Sequence, residues 1–475
     1  MRQKWLLLPW FVCMSAMQGC GMAPFLDSSL PALPVPSSYP QDTGASSVAA
    51  APDIAWAQAV PDPRLHKLMT LALENNRDLR IAALRVEEAR AAWGIQRADL
   101  FPTIGASANG NRARTPGDIN LSGRSMLTSQ YQVGVGLDQW ELDLWGRVRS
   151  LNEAALQSYF SADEMRRAAT LSLFNQVAQG WLGLLELEER LALARTEVVS
   201  RAETLRIFTR RFEVGSASRF DLEQVRVLST QADALLAQLE QLRAQQANGL
   251  ALLAGVSIDD MLQGDMLPGL NAVSVAEVGA SLPSELLTAR PDILAAERDL
   301  FAAQANVAAA RAAFFPRIAL TGSIGTASAE LSGLFSSGSR AWTWAPSISV
   351  PIFTAGRLQA GLDAAKMREA AALANYEKTI QGAFRDVADA LAARQWLTRQ
   401  LQVQEEALTG QRERARLAKL RYDAGSSTFL EVLDAERDLL NAEQQRVQTQ
   451  RALLSARLAV FSALGGGARA LESVE

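Results

Sequence analysis

From Arg64 onward the chain is dominated by Ala, Leu, Glu, Gln and Arg, all strong helix formers. No proline interrupts the stretch from Gly146 to Gly215, nor the one from Gly356 to Gly425. Each predicts one helix of roughly seventy residues, about 100 Å long at 1.5 Å per residue. Helices that long need neighbours, because only other helices can bury their apolar stripes. Four islands break the pattern and alternate with period two instead. In "TIGASANG" (103–110), Ile104, Ala106 and Ala108 alternate with Gly and polar residues. In "QYQVGVGLDQ" (130–139) the apolar set is Tyr131, Val133, Val135 and Leu137. "RIALTGSIG" (317–325) and "WTWAPSISVPIF" (342–353) behave likewise, with Trp344, Ile348, Val350 and Ile352 on one side. Such strands are either half-buried hairpins on a helical core or barrel staves, apolar toward lipid and polar toward a lumen. Four strands cannot close a barrel, for which about eight is the smallest number, so the stave reading requires several chains. Tyr131 and Trp344 fit an interfacial aromatic girdle on that reading and ordinary packing on the other.

Internal repetition organises these elements. Aligning Gly215 with Gly425 sets an offset of 210, which also superposes Gly146–Arg147 on Gly356–Arg357 and Val177–Ala178 on Val387–Ala388. The same offset pairs Ala254–Gly255 with Leu464–Gly465. Upstream, Asp78 matches Asp292 and Phe101–Pro102 matches Phe315–Pro316 at an offset of 214. The chain is a tandem duplication, each half running helix, hairpin, long helix, turn, helix. The first repeat covers 64–255, with strands near 103–114 and 130–140, a long helix 147–214 and a helix 218–253. The second covers 285–464, with strands near 317–328 and 342–353 and helices 357–424 and 428–464. Residues 256–284 join the repeats, and 465–475 form a tail.

The two turns share a design. In "RFEVGSASRFDLEQVRVLST" (211–230) and "RYDAGSSTFLEVLDAERDLL" (421–440), Gly215 and Gly425 stand where a helix-terminating glycine belongs. Ser218 with Asp221, and Thr428 with Glu431, have the spacing of a capping box that starts the next helix. Asp434 lies too deep for that box. It either pairs with Arg437 at i,i+3 or lines a pore. Its equivalent in the first repeat is Gln224, so only the second turn carries the extra acid.

The N-terminus sets the compartment. "MRQKWLLLPWFVCMSAMQGC" has a basic start, an apolar core too short to span a bilayer, and small residues: an export signal over 1–19. Gly19–Cys20 has the form of a lipoprotein cleavage site with Cys20 as lipidation site, although Met17 and Gln18 are unusual there. Residues 20–63 read as a Pro/Ser-rich extended tail. No later stretch is apolar for eighteen residues, so any membrane-spanning part must be a β-barrel. The composition over 475 residues is ordinary for a globular chain, 48% hydrophobic and 21% charged. A net charge of −4 argues against a nucleic-acid partner. There is no GxGxxG, P-loop or GxSxG motif and no metal-ligand cluster, and His66 beside Lys67 reads as packed or solvated, so neither an enzyme nor a cofactor is expected.

This layout resembles the TolC-like outer membrane efflux proteins, in particular the lipoprotein branch that serves RND-type multidrug pumps. The resemblance is carried by "DPRLHKLMTLALENNRDLRIAALRVEEARA" (62–91), "WELDLWGRVRS" (140–150) and "YDAGSSTFLEVLDAERDLLNAEQ" (422–444). Most specific is "LPSELLTARPDILAAERDLFAAQANVAAARAAFFPRIALTGSIG" (282–325), centred on Arg290–Pro291–Asp292. It implies a mainly α chain with a β-barrel: a homotrimeric tube whose twelve-stranded outer-membrane barrel continues as a periplasmic α-helical barrel. It further implies a passive duct in the lipid of the outer membrane, with a periplasmic adaptor and an inner-membrane RND transporter as partners and a belt formed by residues 255–289 and the tail. The turns become periplasmic tips, with Gly215, Asp221, Tyr422 and Gly425 shaping them and Leu430, Glu431 and Asp434 as gate candidates. A duct for drugs or other small toxic compounds leads. A duct for metal ions or for type I protein secretion, and a periplasmic coiled-coil adaptor, stand as alternatives.

Overall fold

The structure, a computed structural model, describes residues 51–121, 123–262, 267–278 and 289–468. The signal, Cys20 and the tail as far as residue 50 lie outside the described residues, as do parts of the joining segment and the last residues. A short α1 (Trp56–Ala59) lies within the segment read as extended tail, and the first repeat then contains α2 (Pro63–Asn75), α3 (Arg77–Ala98), β1 (Ile104–Thr115), β2 (Met126–Glu141), α4 (Arg147–Glu213) and α5 (Arg219–Ala254). After the short α6 (Asp259–Leu262) come α7 (Pro291–Ala312), β3 (Arg317–Ser328), β4 (Arg340–Ser349), α8 (Arg357–Asp423) and α9 (Phe429–Ala463). Both proline-free stretches are single helices of 67 residues.

Three elements differ from the periodicity reading. The segment 62–91 is not one helix but two, broken at Asn76, whose Oδ1 accepts from the Leu79 amide at 2.8 Å and restarts the helix. β2 begins at Met126, because Met126–Ser129 pair with Arg112–Thr115 although their mixed polarity hides any alternation. β4 stops at Ser349 rather than Phe353, since Pro351 has no N–H to offer a ladder. Val350 and Ile352 lie beyond it.

The chain divides into two compact units. One is built from Arg85–Ala162 and Ala295–Tyr376 and holds the sheet. Its strands run in sequence order β1-β2-β3-β4, all antiparallel. Directly opposed residues share a face, so the register sorts the side chains. Ile104, Leu137, Gly322 and Trp344 lie in one row across the sheet, and Ala106, Val135, Ile324 and Trp342 in the next. The rows between them present Gly105, Gly136, Ser323 and Thr343, then Ser107, Gly134, Gly325 and Ala341. One face is apolar and the other small and polar. Gly134 and Gly325 face each other so closely that a Cβ on Gly325 would stand 2.2 Å from the Val133 carbonyl oxygen. At the base of the sheet Glu141 takes both Arg147 and Arg317 at 2.7 Å. Beside it Trp145 stacks on Phe315, ring centroids 5.1 Å apart, and donates to the Pro316 carbonyl at 2.8 Å.

The second unit takes the remaining helical segments, including Asp163–Leu294 and Glu377 onward. Trp181, Leu182, Leu185, Leu65, Met69 and Phe461 are its fully buried core. Asp62 caps α2 through the Arg64 and Leu65 amides and also accepts from the buried Trp181 indole at 2.8 Å. His66 is held by packing: Nε2 contacts the Val60 carbonyl at 2.7 Å and the ring lies edge-on to Trp56. The duplication reappears here as a repeated staple. Arg290 grips Asp292 with two bonds of 3.0 and 2.6 Å and donates to the Ala463 carbonyl at the end of α9. Its counterpart Asn76 donates to the Leu253 carbonyl, one residue from the end of α5, at 2.9 Å. Ala463 and Leu253 are themselves equivalent at the offset of 210. Each repeat thus uses the residue at the start of one helix to satisfy an orphan carbonyl at the end of another.

Candidate functional site at the paired helix turns

The turns between α4 and α5 and between α8 and α9 lie together in the helical unit. At each, the glycine adopts a left-handed conformation, φ +77° for Gly215 and +70° for Gly425. The Ser216 amide then reaches back to the Arg211 carbonyl at 2.8 Å and the Gly215 amide to that of Phe212 at 3.0 Å. Ser426 and Gly425 repeat this on Arg421 and Tyr422, both at 2.8 Å. These paired bonds form a Schellman motif, which closes a helix end on its own carbonyls.

The second helix of each turn starts differently. In the first, the capping box forms: Ser218 Oγ accepts from the Asp221 amide at 3.1 Å and Asp221 Oδ2 from the Ser218 amide at 3.2 Å. In the second it does not. Thr428 sits at the cap position without any side-chain capping bond, and the Glu431 amide bonds the Thr428 carbonyl instead. The Glu431 carboxylate is drawn across the turn to Arg421 at 3.0 Å. The cause lies in what each turn's arginine is doing. Arg211, the counterpart of Arg421, donates to the Tyr422 hydroxyl and lies over the Phe208 and Tyr422 rings. That leaves Asp221 free to cap. Arg421 has no such ring partner among the described residues and takes Glu431, because a guanidinium is the stronger partner for a carboxylate than one backbone amide.

Tyr422 therefore ties the two turns together. Its ring packs against Phe429, 5.0 Å between centroids, and Phe429 in turn against Phe208 at 4.7 Å. Phe208, Leu222 and Val225 from the first turn bury Leu433 from the second, while Ala418, Val432 and Ala435 form a smaller cluster behind Tyr422. Between the turns lies a cleft of about 430 Å³ lined by residues that include Arg211, Gln224, Tyr422, Phe429 and Leu430. Leu430 is 48% exposed and its counterpart Phe220 77%. Asp434 makes the i,i+3 pair with Arg437 at 3.4 Å, and Arg437 also reaches Asp438, which is held by Arg414 at 2.6 Å. The arrangement offers no nucleophile with a base beside it. Chemically it is a pair of welded turns displaying apolar groups and arginine-paired carboxylates.

Two residues that the motif reading passed over are central here, Arg211 and Arg421. The signal for them was present: an arginine four residues before each glycine, repeated at the offset of 210.

Comparison with known proteins agrees with this fold. The model of the family described as outer membrane efflux protein matches residues 68–256 and 282–466, one match on each repeat. The chain is 42% identical over 471 residues to the solvent efflux pump outer membrane protein SrpC of Pseudomonas putida, covering 98% of both chains. It is 43% identical over 451 residues to outer membrane protein OprJ of Pseudomonas aeruginosa, covering 94% of this chain and 93% of that one. Among solved structures, the open-state MtrE outer membrane channel of Neisseria gonorrhoeae matches with a TM-score of 0.83 and 41% identity, over 92% of this chain and 97% of that one.

Proposed function

The chain belongs to the outer membrane efflux protein family, and we propose that three copies of it form the passive outer-membrane duct of a tripartite, RND-type efflux pump. The observation that supports this most directly is the sheet. Its four strands have one apolar and one small, polar face, and the outer edges of β1 and β4 carry no strand partner within the described chain. Unpaired strand edges are not sustainable in hydrocarbon, so β4 of one copy pairs with β1 of the next and three copies close twelve strands. The apolar face meets lipid and the small polar face a water-filled lumen. The helices reach into the periplasm, where the paired turns meet an adaptor protein and the inner-membrane transporter that supplies the energy. The cargo is solvents, drugs or similar small toxic compounds, in line with the solvent efflux pump named for one relative. An acyl chain on Cys20 anchors the tail.

At the turns, Leu430, Glu431 and Asp434 form the periplasmic gate. Threefold rings of carboxylates attract cations and repel one another, and apolar rings at a constriction dewet. Arg421 and Arg437 sit beside these acids within each chain and lower that repulsion at rest.

Deletion of the gene, followed by a susceptibility panel of antibiotics, dyes, solvents and metals, tests the function. Increased sensitivity to solvents or drugs, restored by the wild-type gene, is the expected outcome. Unchanged susceptibility together with a soluble monomer in the periplasmic fraction would leave only a structural coiled-coil role. Radioactive palmitate incorporation, with Cys20→Ser as control, tests the anchor.

A further inference from the structure

Charged side chains on the sheet belong, on ordinary grounds, to the water-facing side. Arg112, Arg114 and Arg340 do the opposite. The register puts Arg112 and Arg114 on the face of Ile104, Ala106 and Ala108, and Arg340 on the face of Trp342 and Trp344. Across the ladder they meet Ser129, Leu127 and Thr326, none of which neutralises a guanidinium. All three are exposed, and none has an ion-pair or hydrogen-bond partner among the described residues. Asp118 and Glu330 in the two hairpin connections are not bonded to them.

Their height on that face is equally informative. All three stand at the strand ends next to the hairpin connections, away from the ends where α3 and α4 join the sheet. Moving inward on the same face, Arg340 is followed by Trp342 and Trp344, 74% and 63% exposed, and Arg112 by the row in which Gly110 faces Tyr131. On β4 the arginine stands just outside two tryptophans that belong to the apolar rows, and on β1 and β2 the two arginines stand just outside the Tyr131 row. A guanidinium on the lipid face is costly at the bilayer midplane and nearly free at the interface, so these three mark headgroup level. Guanidinium groups at that level pair with phosphate through two parallel bonds. Arg112 and Arg114, two residues apart on one strand face, are spaced by about 7 Å, which suits two phosphate groups of one headgroup.

We propose that Arg112, Arg114 and Arg340 form a binding site for the phosphorylated glycolipid of the outer leaflet, lipopolysaccharide. The site rests on the trimeric duct described above. There β4 of one copy abuts β1 of the next, so Arg340 from one protomer completes the pair Arg112 and Arg114 of its neighbour. The hairpin connections face outward, which places the site in the outer leaflet and not among the phospholipids of the inner one.

The test uses the purified full-length protein in neutral detergent, titrated with lipopolysaccharide, with enzymatically dephosphorylated lipopolysaccharide and with phosphatidylglycerol. Binding is read by native mass spectrometry, which reports the oligomeric state in the same spectrum. The wild type should bind phosphorylated lipopolysaccharide in preference to both other lipids. Combining R112Q, R114Q and R340Q should weaken that binding roughly 100-fold, about fivefold per arginine at a charged surface. The combination R112K, R114K and R340K should retain most of it, and R85Q, on an exposed helical arginine, should match the wild type. Undiminished binding by the triple glutamine variant, or equal wild-type binding of the dephosphorylated lipid, would overturn the site. Equal affinity for phosphatidylglycerol would overturn the outer-leaflet assignment. A wild-type protein that is monomeric in the spectrum contradicts the trimer separately; R112Q with R114Q then tests the single-chain half of the site.

Discussion

Arg211 and Arg421 occupy the same place in two copies of one motif, yet one holds a tyrosine and the other a glutamate. The difference traces to one substitution between the repeats, Phe212 against Tyr422, because only the second offers a hydroxyl for Arg211 to find. It predicts unequal caps. Ser218→Ala should lower stability by about 1 kcal/mol, whereas Thr428→Ala should cost much less, read as thermal unfolding of the detergent-solubilised protein. Deeper along the same helices, the buried Arg201 is clasped by Glu197 at 2.5 Å and Glu436 at 3.1 Å. Burial is the main cause that raises the Glu436 pKa, with the neighbouring Glu197 adding to it and Arg201 and Lys419 opposing. A carboxylate with a raised folded-state pKa holds its proton more tightly when folded than when unfolded. Its stabilising contribution is therefore greatest in acid and is lost as pH rises from its ordinary value of 4.5 through the raised one. The wild type should lose stability relative to Glu436→Gln over that acidic range, and parallel melting curves for the two would contradict the assignment. Neither the Arg211–Tyr422 contact nor the buried triad was legible in the sequence, because each joins residues more than two hundred positions apart, and the Arg421–Glu431 pair forms because Arg211 has taken the tyrosine.

At the scale of elements, much was readable. Proline-free runs ending in glycine became 67-residue helices closed by Schellman turns, since local rules decide where a helix stops. Period-two alternation located all four strands, but its boundaries failed wherever polarity was mixed, as at Met126–Ser129, or where a proline ended the ladder. The Arg290–Pro291–Asp292 motif was visible as a family mark without a reason. The fold supplies one: Pro291 opens α7, and Arg290 fastens it to the end of α9. Arg290→Ala would take charge-assisted hydrogen bonds from the half-buried Asp292 and from the Ala463 carbonyl, leaving Asp386 to Arg385, a loss of about 3 kcal/mol. Asn76→Ala removes two neutral hydrogen bonds, the one to the Leu253 carbonyl at the equivalent place and the Leu79 cap, and should cost about 1–2 kcal/mol. Chemical denaturation of both variants checks the ranking, and equal losses would contradict the larger contribution assigned to the charged staple.

For the whole molecule, the same chemistry that makes the single chain incomplete gives it a role. A four-stranded sheet with two open edges and opposite faces calls for further copies of itself. In the proposed gate, each turn of one chain would be repeated threefold around the axis, and a lone acid would become a ring. Asp434 is the acid that only the second repeat carries, and its pairing with the exposed Arg437 is a weak surface contact that does not by itself account for it. Asp434→Ala should raise the conductance of the trimer in planar bilayers and reduce its cation preference. A variant whose conductance and selectivity match the wild type would remove Asp434 from the gate and leave its pair with Arg437 as its whole role.

The sequence by itself determined the tandem duplication, the helix lengths, the turn glycines and the two-faced strands, because all follow from local periodicity and backbone sterics. It also carried the family, through motifs spread over both repeats. Only the tertiary structure decided which carboxylate caps and which pairs, what Arg290 holds, and that three arginines share the apolar face of the sheet. Those outcomes depend on register and on competition between distant partners for one charged group, and neither is encoded in any single stretch of chain.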